Sequence, residues 1–327
     1  MKKLTAALLC LFLLFGGSLA ETATYGSVSF DTGAEYIDLG DQAVAEGDWS
    51  GFISFLRQFP NLKKVDMFAT QVDQRAVNKL TEAFPELEFG WTLQLMKYKN
   101  KHIVRTDATY FSTRHGVCPN HSNDDFVLIG YCKDLLALDL GHNNLTDLSF
   151  LRNMPHLRVL ILGENQKLKN IEPIGELKEL EYLELFWCNI RDITPLTKLP
   201  RLMDLNLCLN NVKDWRPLKE MKQLRRLWVS GMLSGQWSEA DRRELREALP
   251  DTEIVFVGQP DEKGWRYYDD LIKKKKPDNL VPHFAVIDAM MNADAYIPFA
   301  ESAPLPGQEP ADSDFLITED VDPSELQ

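Results

Sequence analysis

The chain is poor in cysteine, lacks any excess of basic charge and has only one apolar run of note. Five cysteines in 327 residues are too few for a disulfide scaffold. Lys and Arg number 36 against 49 acids, a net charge of −13. That excludes a nucleic-acid binder, which needs a basic surface to replace phosphate counterions. Lys and Arg vanish after Lys276: the stretch from Pro277 to Gln327 holds 11 acids and neither of them. The body before it is close to neutral, so body and tail are read separately. Signatures of catalysis are missing too. There is no Gly-rich phosphate loop, no nucleophile elbow and no zinc-protease helix. The sequence therefore points to no enzyme and to no cofactor. What remains is 44% hydrophobic and 26% charged residues, the composition of a soluble folded protein.

The single apolar run lies at the start. Lys2 and Lys3 precede twelve largely apolar residues, Leu4 to Phe15, and Gly16-Gly17-Ser18-Leu19-Ala20 follows. This is the pattern of a secretory signal peptide cut after Ala20. Twelve residues fall short of the roughly 20 a helix needs to span a bilayer. Leu9 before Cys10 is not the small residue that a lipidation site requires. The mature chain is expected to be exported, with no membrane span after cleavage. Cys118, Cys132, Cys188 and Cys208 then remain.

From Leu135 a pattern recurs. Leu135, Leu138, Leu140, Asn143 and Leu145 are followed by Leu157, Leu160, Leu162, Asn165 and Leu168. Leu180, Leu183, Leu185, Cys188 and Ile190 repeat it, as do Leu202, Leu205, Leu207, Asn210 and Val212. A fifth start, Leu224, Leu227 and Val229, has Met232 at the Asn position. The spacing is 22 or 23 residues. Two leucines two apart share one side of a short strand. The Asn is placed to satisfy backbone groups where the chain leaves that strand. One coil cannot bury its own apolar edge, so coils must stack.

The other half of each coil is patterned as well. Asn170-Ile-Glu-Pro173-Ile, Asp192-Ile-Thr-Pro195-Leu and Asp214-Trp-Arg-Pro217-Leu align. The chain resembles the leucine-rich repeat, and its Asp-Ile-x-Pro-Leu segments resemble the internalin-like class of bacterial repeats. The resemblance implies an α/β solenoid with short parallel strands on the concave face and 3₁₀ turns or helices on the convex face. It covers Leu135 to about Gly231.

Outside this core, two segments match each other: Asp73 to Trp91 and Ser238 to Phe256. Each reads as an N-capped helix, a proline stop and a strand. Leu62 to Met67 and Ala34 to Leu39 read as earlier, degenerate coils. Trp91 to Met96 and Ile103 to Thr106 predict a hairpin, and residues 107–125, without periodicity, a loop. The expected organisation is a signal peptide at 1–20 and an N-terminal cap of irregular repeats with a hairpin at 21–134. Regular repeats and a C-terminal capping coil occupy 135–258. A segment at 259–300 follows, its Trp265, Tyr267 and Tyr268 covering the last coil. The acidic tail at 301–327 has the composition of disorder.

One cluster could hold metal: His115, Cys118 and His121 at three-residue spacing, with Asp124 and Cys132 nearby. Zinc needs about four converging groups. A Cys118–Cys132 disulfide and an ordinary loop with incidental histidines are the other readings. The ordinary loop is adopted, so no metal is assigned. Cys188 and Cys208 occupy different frame positions, which argues against a bridge between them. Asn120-His-Ser and Asn144-Leu-Thr are glycosylation sequons, meaningful only in a eukaryotic secretory pathway.

Counting along the frame, residues two, three, five, seven and eight face outward across the concave sheet. This brings Tyr182, Phe186, Trp187 and Trp228 together, with Glu184, Asp204 and Arg226 as a charged fringe. Clustered aromatics among polar neighbours mark a binding surface. The alternative is that the rings pack on one another or under the chain after Gly264. The reading adopted is a monomeric, exported bacterial binding or adhesion protein of the cell surface that recognises a protein or peptide with these seven residues. A carbohydrate-binding or hydrolytic accessory protein is the second reading, since stacked aromatics suit sugar rings. A structural spacer is the third.

Overall fold

The computed structural model describes residues 21–95, 102–113, 121–233 and 235–256. The leader, the turn of the expected hairpin, most of the His115 loop and everything after Phe256 lie outside them. The chain divides into two compact units, residues 1–94 and 95–327.

In the first unit, β1 (Thr22–Tyr25) and β2 (Val28–Asp31) form an antiparallel hairpin. Its turn is Gly26-Ser27, and Gly26 has φ +58°, the left-handed geometry a two-residue hairpin turn demands. Next come β3 (Tyr36–Asp38), α1 (Trp49–Leu56), β4 (Lys64–Val72), α2 (Gln74–Ala83) and β5 (Glu88–Leu95). Strands β3, β4 and β5 are parallel, with Ile37, Val65 and Phe89 in one row. Helix α2 begins where Asp73 predicts, its carboxylate accepting from the Ala76 N–H at 2.9 Å. Helix α1 buries Phe52 and Phe55 against Tyr25, whose ring centroid lies 5.2 Å from that of Phe52.

In the second unit, β6 (His102–Arg105) and β7 (Tyr110–Ser112) lead into β8 (Ala137–Asp139), β9 (Val159–Ile161) and β10 (Tyr182–Glu184). Strands β11 (Asp204–Asn206) and β12 (Arg226–Trp228), helix α3 (Glu239–Ala248) and β13 (Glu253–Val255) complete it. Strands β7 to β13 form one parallel sheet in sequence order. Phe111, Leu138, Leu160, Leu183, Leu205, Leu227 and Ile254 make one continuous row through it. Coils stack about 4.8 Å apart, and this row with its neighbours is the core.

The convex side is made of 3₁₀ turns at Ser149–Asn153, Glu172–Glu176, Thr194–Lys198 and Arg216–Glu220. The repeated Asp or Asn has a clear job. Asn170, Asp192 and Asp214 each accept, through Oδ1, the N–H two residues on, at 2.9–3.0 Å. Pro173, Pro195 and Pro217 follow near the start of the turn, where no donor is needed. Helix α3 starts at Ser238, whose hydroxyl accepts from the Asp241 N–H.

The Asn ladder works across coils. Asn165 Nδ2 donates to Leu162 of its own coil and Leu140 of the one before, while its Oδ1 accepts from Leu145 N–H. Asn210 repeats this with Leu207, Leu185 and Ile190. Cys188 keeps the donor half, Sγ to the Leu162 carbonyl at 3.3 Å. The N–H it leaves unserved, on Leu168, bonds instead to the Asn165 carbonyl at 2.8 Å. That local turn uses the one extra residue between Asn165 and Leu168, which makes this coil 23 long.

One expectation fails. Residues 107–125 are not all loop: β7 at Tyr110–Ser112 adds a coil ahead of the first regular one. Phe111 and Thr113 stand where the repeat has leucine, and Phe111 fills the row with a larger apolar ring.

Candidate functional site

The seven expected residues come together on strands β10 to β12 and on the coil just past β10. Parallel registration puts Tyr182 beside Asp204 and Asp204 beside Arg226, and Glu184, Asn206 and Trp228 in the next ladder. Arg226 Nη1 donates to both Asp204 oxygens, at 3.2 and 3.3 Å. Tyr182 donates its hydroxyl to Glu184 Oε2 at 3.2 Å. Glu184 leans over the preceding coil at Gly163. A Cβ on Gly163 would sit 2.6 Å from Glu184 Oε1. The Phe186 and Trp187 rings meet edge to face, centroids 6.4 Å apart.

Their exposure differs from the expectation. Tyr182, Glu184, Phe186, Asp204 and Arg226 are all 5% exposed or less, whereas Trp187 and Trp228 are half-buried. The charged residues are therefore not a fringe around an open aromatic patch. They form a closed floor, and the tryptophans, with Met203 and Leu209, form a half-open rim. Contacts within the ladders, such as Arg226 on Asp204 and Tyr182 on Glu184, remove part of the surface that a count along the frame leaves open.

Position eight does not continue the strand either. His142, Glu164, Trp187 and Leu209 have φ of 61°, 64°, 47° and 52°. The left-handed region costs a bulky L-residue about 1–2 kcal/mol. It is held here by backbone bonds from each N–H to the next coil, as from Trp187 to the Cys208 carbonyl at 2.9 Å. His142 Nδ1 lies 2.9 Å from Glu164 Oε2 along this ledge.

Two floor residues were not singled out from the sequence. Asp139 is buried, accepting from the Ser112 hydroxyl and the Gly141 N–H. Asn206 is buried too; its Oδ1 accepts from Cys208 N–H at 3.0 Å, and its Nδ2 has no hydrogen-bond partner among the described residues. Both occupy the same fifth-position ladder as Glu184, which is the signal that could have found them.

Of the histidine–cysteine cluster, His115 and Cys118 lie outside the described residues. His121 Nδ1 is 3.8 Å from Asp125, and burial lowers the His121 pKa against the opposing pull of Asp125. Cys132 is a buried thiol, pushed up to about 12 by desolvation. Burial likewise raises Cys188 to about 12, so neither is a ready nucleophile. Among the described residues no three His, Cys, Asp or Glu side chains group as metal ligands.

Residues 133–178 match the family model for leucine-rich repeats, two copies. The matched stretch spans the convex 3₁₀ turns at Ser149–Asn153 and Glu172–Glu176. Similar solved structures include two from Listeria monocytogenes. One is an internalin, InlF, from Listeria monocytogenes, with 21% identity, TM-score 0.36, 63% of this chain covered and 57% of that one. The other is internalin C2 from the same organism, with 24% identity, TM-score 0.32, and 50% and 82% covered. The chain thus spans little more than half the length of InlF. No curated protein matches the sequence.

Proposed function

We propose that this is an exported binding protein that recognises a protein or peptide through the concave face of β10 to β12. The leucine-rich-repeat fold is in general a protein-interaction scaffold, and the fold alone does not set the ligand. The observation that carries the reading is the floor itself. Asp139, Glu184 and Asp204 are buried on one sheet, Arg226 pairs with Asp204, and among the described residues Asn206 Nδ2 has no hydrogen-bond acceptor. Buried charge and an unpaired donor are costly in a surface built only for packing. They suit a ligand that brings a cation and a backbone carbonyl. Trp187 and Trp228 on the rim supply the aromatic anchors that dominate such contacts. The role is binding rather than catalysis.

Trp228→Ala should weaken ligand binding about tenfold or more while leaving the thermal melt within a few degrees of wild type. Calorimetric titration of a captured ligand decides it. Equal affinity for wild type, Trp228→Ala and Phe186→Ala would remove the concave face from consideration. Among the described residues no helix is long and apolar enough to cross a membrane. Export predicts a mature protein beginning at Glu21, which N-terminal sequencing of the secreted material checks.

A further inference from the structure

Where the chain leaves the concave strands for the convex turns, three successive coils place a cation at one position: Lys169, Arg191 and Lys213. Each is bracketed by two positions that the fold repeats. Before it stands an inward apolar residue, Leu168, Ile190 or Val212. After it stands the Asn or Asp that accepts a convex-turn N–H. A residue held between two stacked neighbours must itself stack. The backbone shows the row directly. Asn189 N–H donates to the Leu168 carbonyl, Asn211 N–H to Ile190 and Lys213 N–H to Arg191, at 3.0–3.2 Å. Lys167 adds a fourth cation at the same edge, and all four are exposed.

The uniform sign sets this row apart. On the opposite edge, where the chain enters the strands, Glu181 lies between Arg158 and Arg201, 3.5 Å from each. On the convex side Arg152, Lys198 and Lys219 pair with Glu176, Glu172 and Glu244. Among the described residues none of Lys167, Lys169, Arg191 and Lys213 forms an ion pair. The acids that follow the row, Asp192 and Asp214, are engaged by the turn N–H groups of Thr194 and Arg216. Like charges on neighbouring strands repel. A chain with 49 acids against 36 bases has the residues to alternate the row, as it does on the other edge.

We propose that this edge is a second interaction surface and takes a partner helix that bears a stripe of Asp and Glu. Spacing selects the helix. Three coils put the outer cations about 10 Å apart at the usual strand spacing. Acids at i, i+4 and i+7 share one face of an α-helix, and i to i+7 spans about 10.5 Å. Alternate residues of an extended strand, i to i+4, span about 14 Å and overrun the row. Width agrees with this. The cations stand in single file beside Asp192 and Asp214, a track for a rod and not a plane for a membrane. Arg191, at the centre, can hold a carboxylate bidentately. The surface is separate from the concave face and does not depend on what that face binds.

The test titrates the full-length protein with two synthetic helical peptides of equal composition. One carries Glu at i, i+4 and i+7, and the other spreads the same Glu residues around the helix. Fluorescence anisotropy at low salt reads binding, and circular dichroism checks both helices and the fold of each variant. The striped peptide should bind more tightly than the scattered one. The variant combining Lys169→Glu, Arg191→Glu and Lys213→Glu should bind it about tenfold more weakly or worse, as the loss of three exposed ion pairs implies. Lys198→Glu, at a cation already paired, should bind it as wild type does. Binding should fade at about 1 M NaCl, where screening acts within about 3 Å. If the triple reversal does not fold, Lys169→Gln with Arg191→Gln and Lys213→Gln serves instead, with a loss in the same direction. Equal binding of the two peptides, binding of neither, or a triple variant that binds as wild type does overturns the proposal. So does row-dependent binding of a heparin-derived oligosaccharide that is tighter than that of the striped peptide, which would make the edge a glycan track. No ligand of the concave face enters this readout, so the two surfaces hold or fail separately.

Discussion

On the convex side, Lys198 meets Glu172 at 2.7 Å with both side chains about half exposed. On the concave side, Arg226 meets Asp204 at 3.2 Å with both nearly sealed from water. Lys219 and Glu244, Arg152 and Glu176 repeat the convex arrangement. The same residue types thus sit on two sides of one 22-residue coil under opposite solvation. An exposed pair is screened and contributes little. A sealed one is costly to create and more costly to break. Charge placed where it is expensive needs a reason, whereas charge placed where it is cheap needs only solubility. The difference separates a candidate site from ordinary surface without reference to which residues are aromatic.

The sharpest way to break the comparison is to remove one partner on each side. Arg226→Ala leaves Asp204 without its arginine and should cost roughly 3–5 kcal/mol in a denaturant melt. Replacing the pair by Asp204→Leu with Arg226→Met should recover most of that. A loss under 1 kcal/mol for Arg226→Ala would mean that water reaches the pair. Next in size is the layer both faces share. Leu160→Ala, Leu183→Ala and Leu205→Ala should each cost roughly 2–5 kcal/mol, and wild-type midpoints would contradict the leucine row. On the convex side, Asp192→Ala removes the acceptor for the Thr194 N–H and should cost about 1 kcal/mol, as lost caps do. Glu172→Gln should change the melt by well under 1 kcal/mol.

Acid gives a finer measure of the convex side. The Asp192 carboxylate is held below the usual Asp range chiefly by the Thr194 hydroxyl, then by its N–H. Asp214 is held low chiefly by the Arg216 N–H. A carboxylate whose folded pKa is depressed adds stability above its unfolded pKa of about 3.9, and that stability is lost as pH falls through the folded value. Melts from pH 6 to pH 3 should therefore fall less steeply in Asp192→Asn with Asp214→Asn than in wild type. Parallel curves would place the hydrogen bonds outside the energetics of unfolding.

The regular coils were legible because leucine spacing, the Asn position and the Pro-Leu turn all point to one structure, and each has a local physical cause. Helices α2 and α3 were legible from Asp73 and Ser238 for the same reason. Strand β7 was not, since Phe111 and Thr113 satisfy the frame by burial and not by residue type. Helix α1 was missed because it is short, contains Gly51, and buries Phe52, Ile53, Phe55 and Leu56 together, leaving a weak 3.6-residue period. The Gly26-Ser27 turn did carry a hairpin signal. At the site, the frame put the right residues side by side but could not give their exposure. Exposure depends on what lies across the sheet, a long-range fact that no short window encodes. The left-handed backbone at Trp187 and Leu209 is invisible for a related reason: stacking imposes it against the preference of both residues.

Cys188 and the extra residue of its neighbouring coil are mutually dependent, so the repeats are not interchangeable bricks. Deleting Gln166 to regularise the array would strip Leu168 of its local acceptor and strand its N–H, unless Cys188 became asparagine in the same step. Conversely, asparagine at 188 in the present chain would bring an acceptor to a donor already engaged. Any recombination of coils, by drift or by design, that crosses this seam must carry both changes together, which makes coils two and three a single unit of exchange.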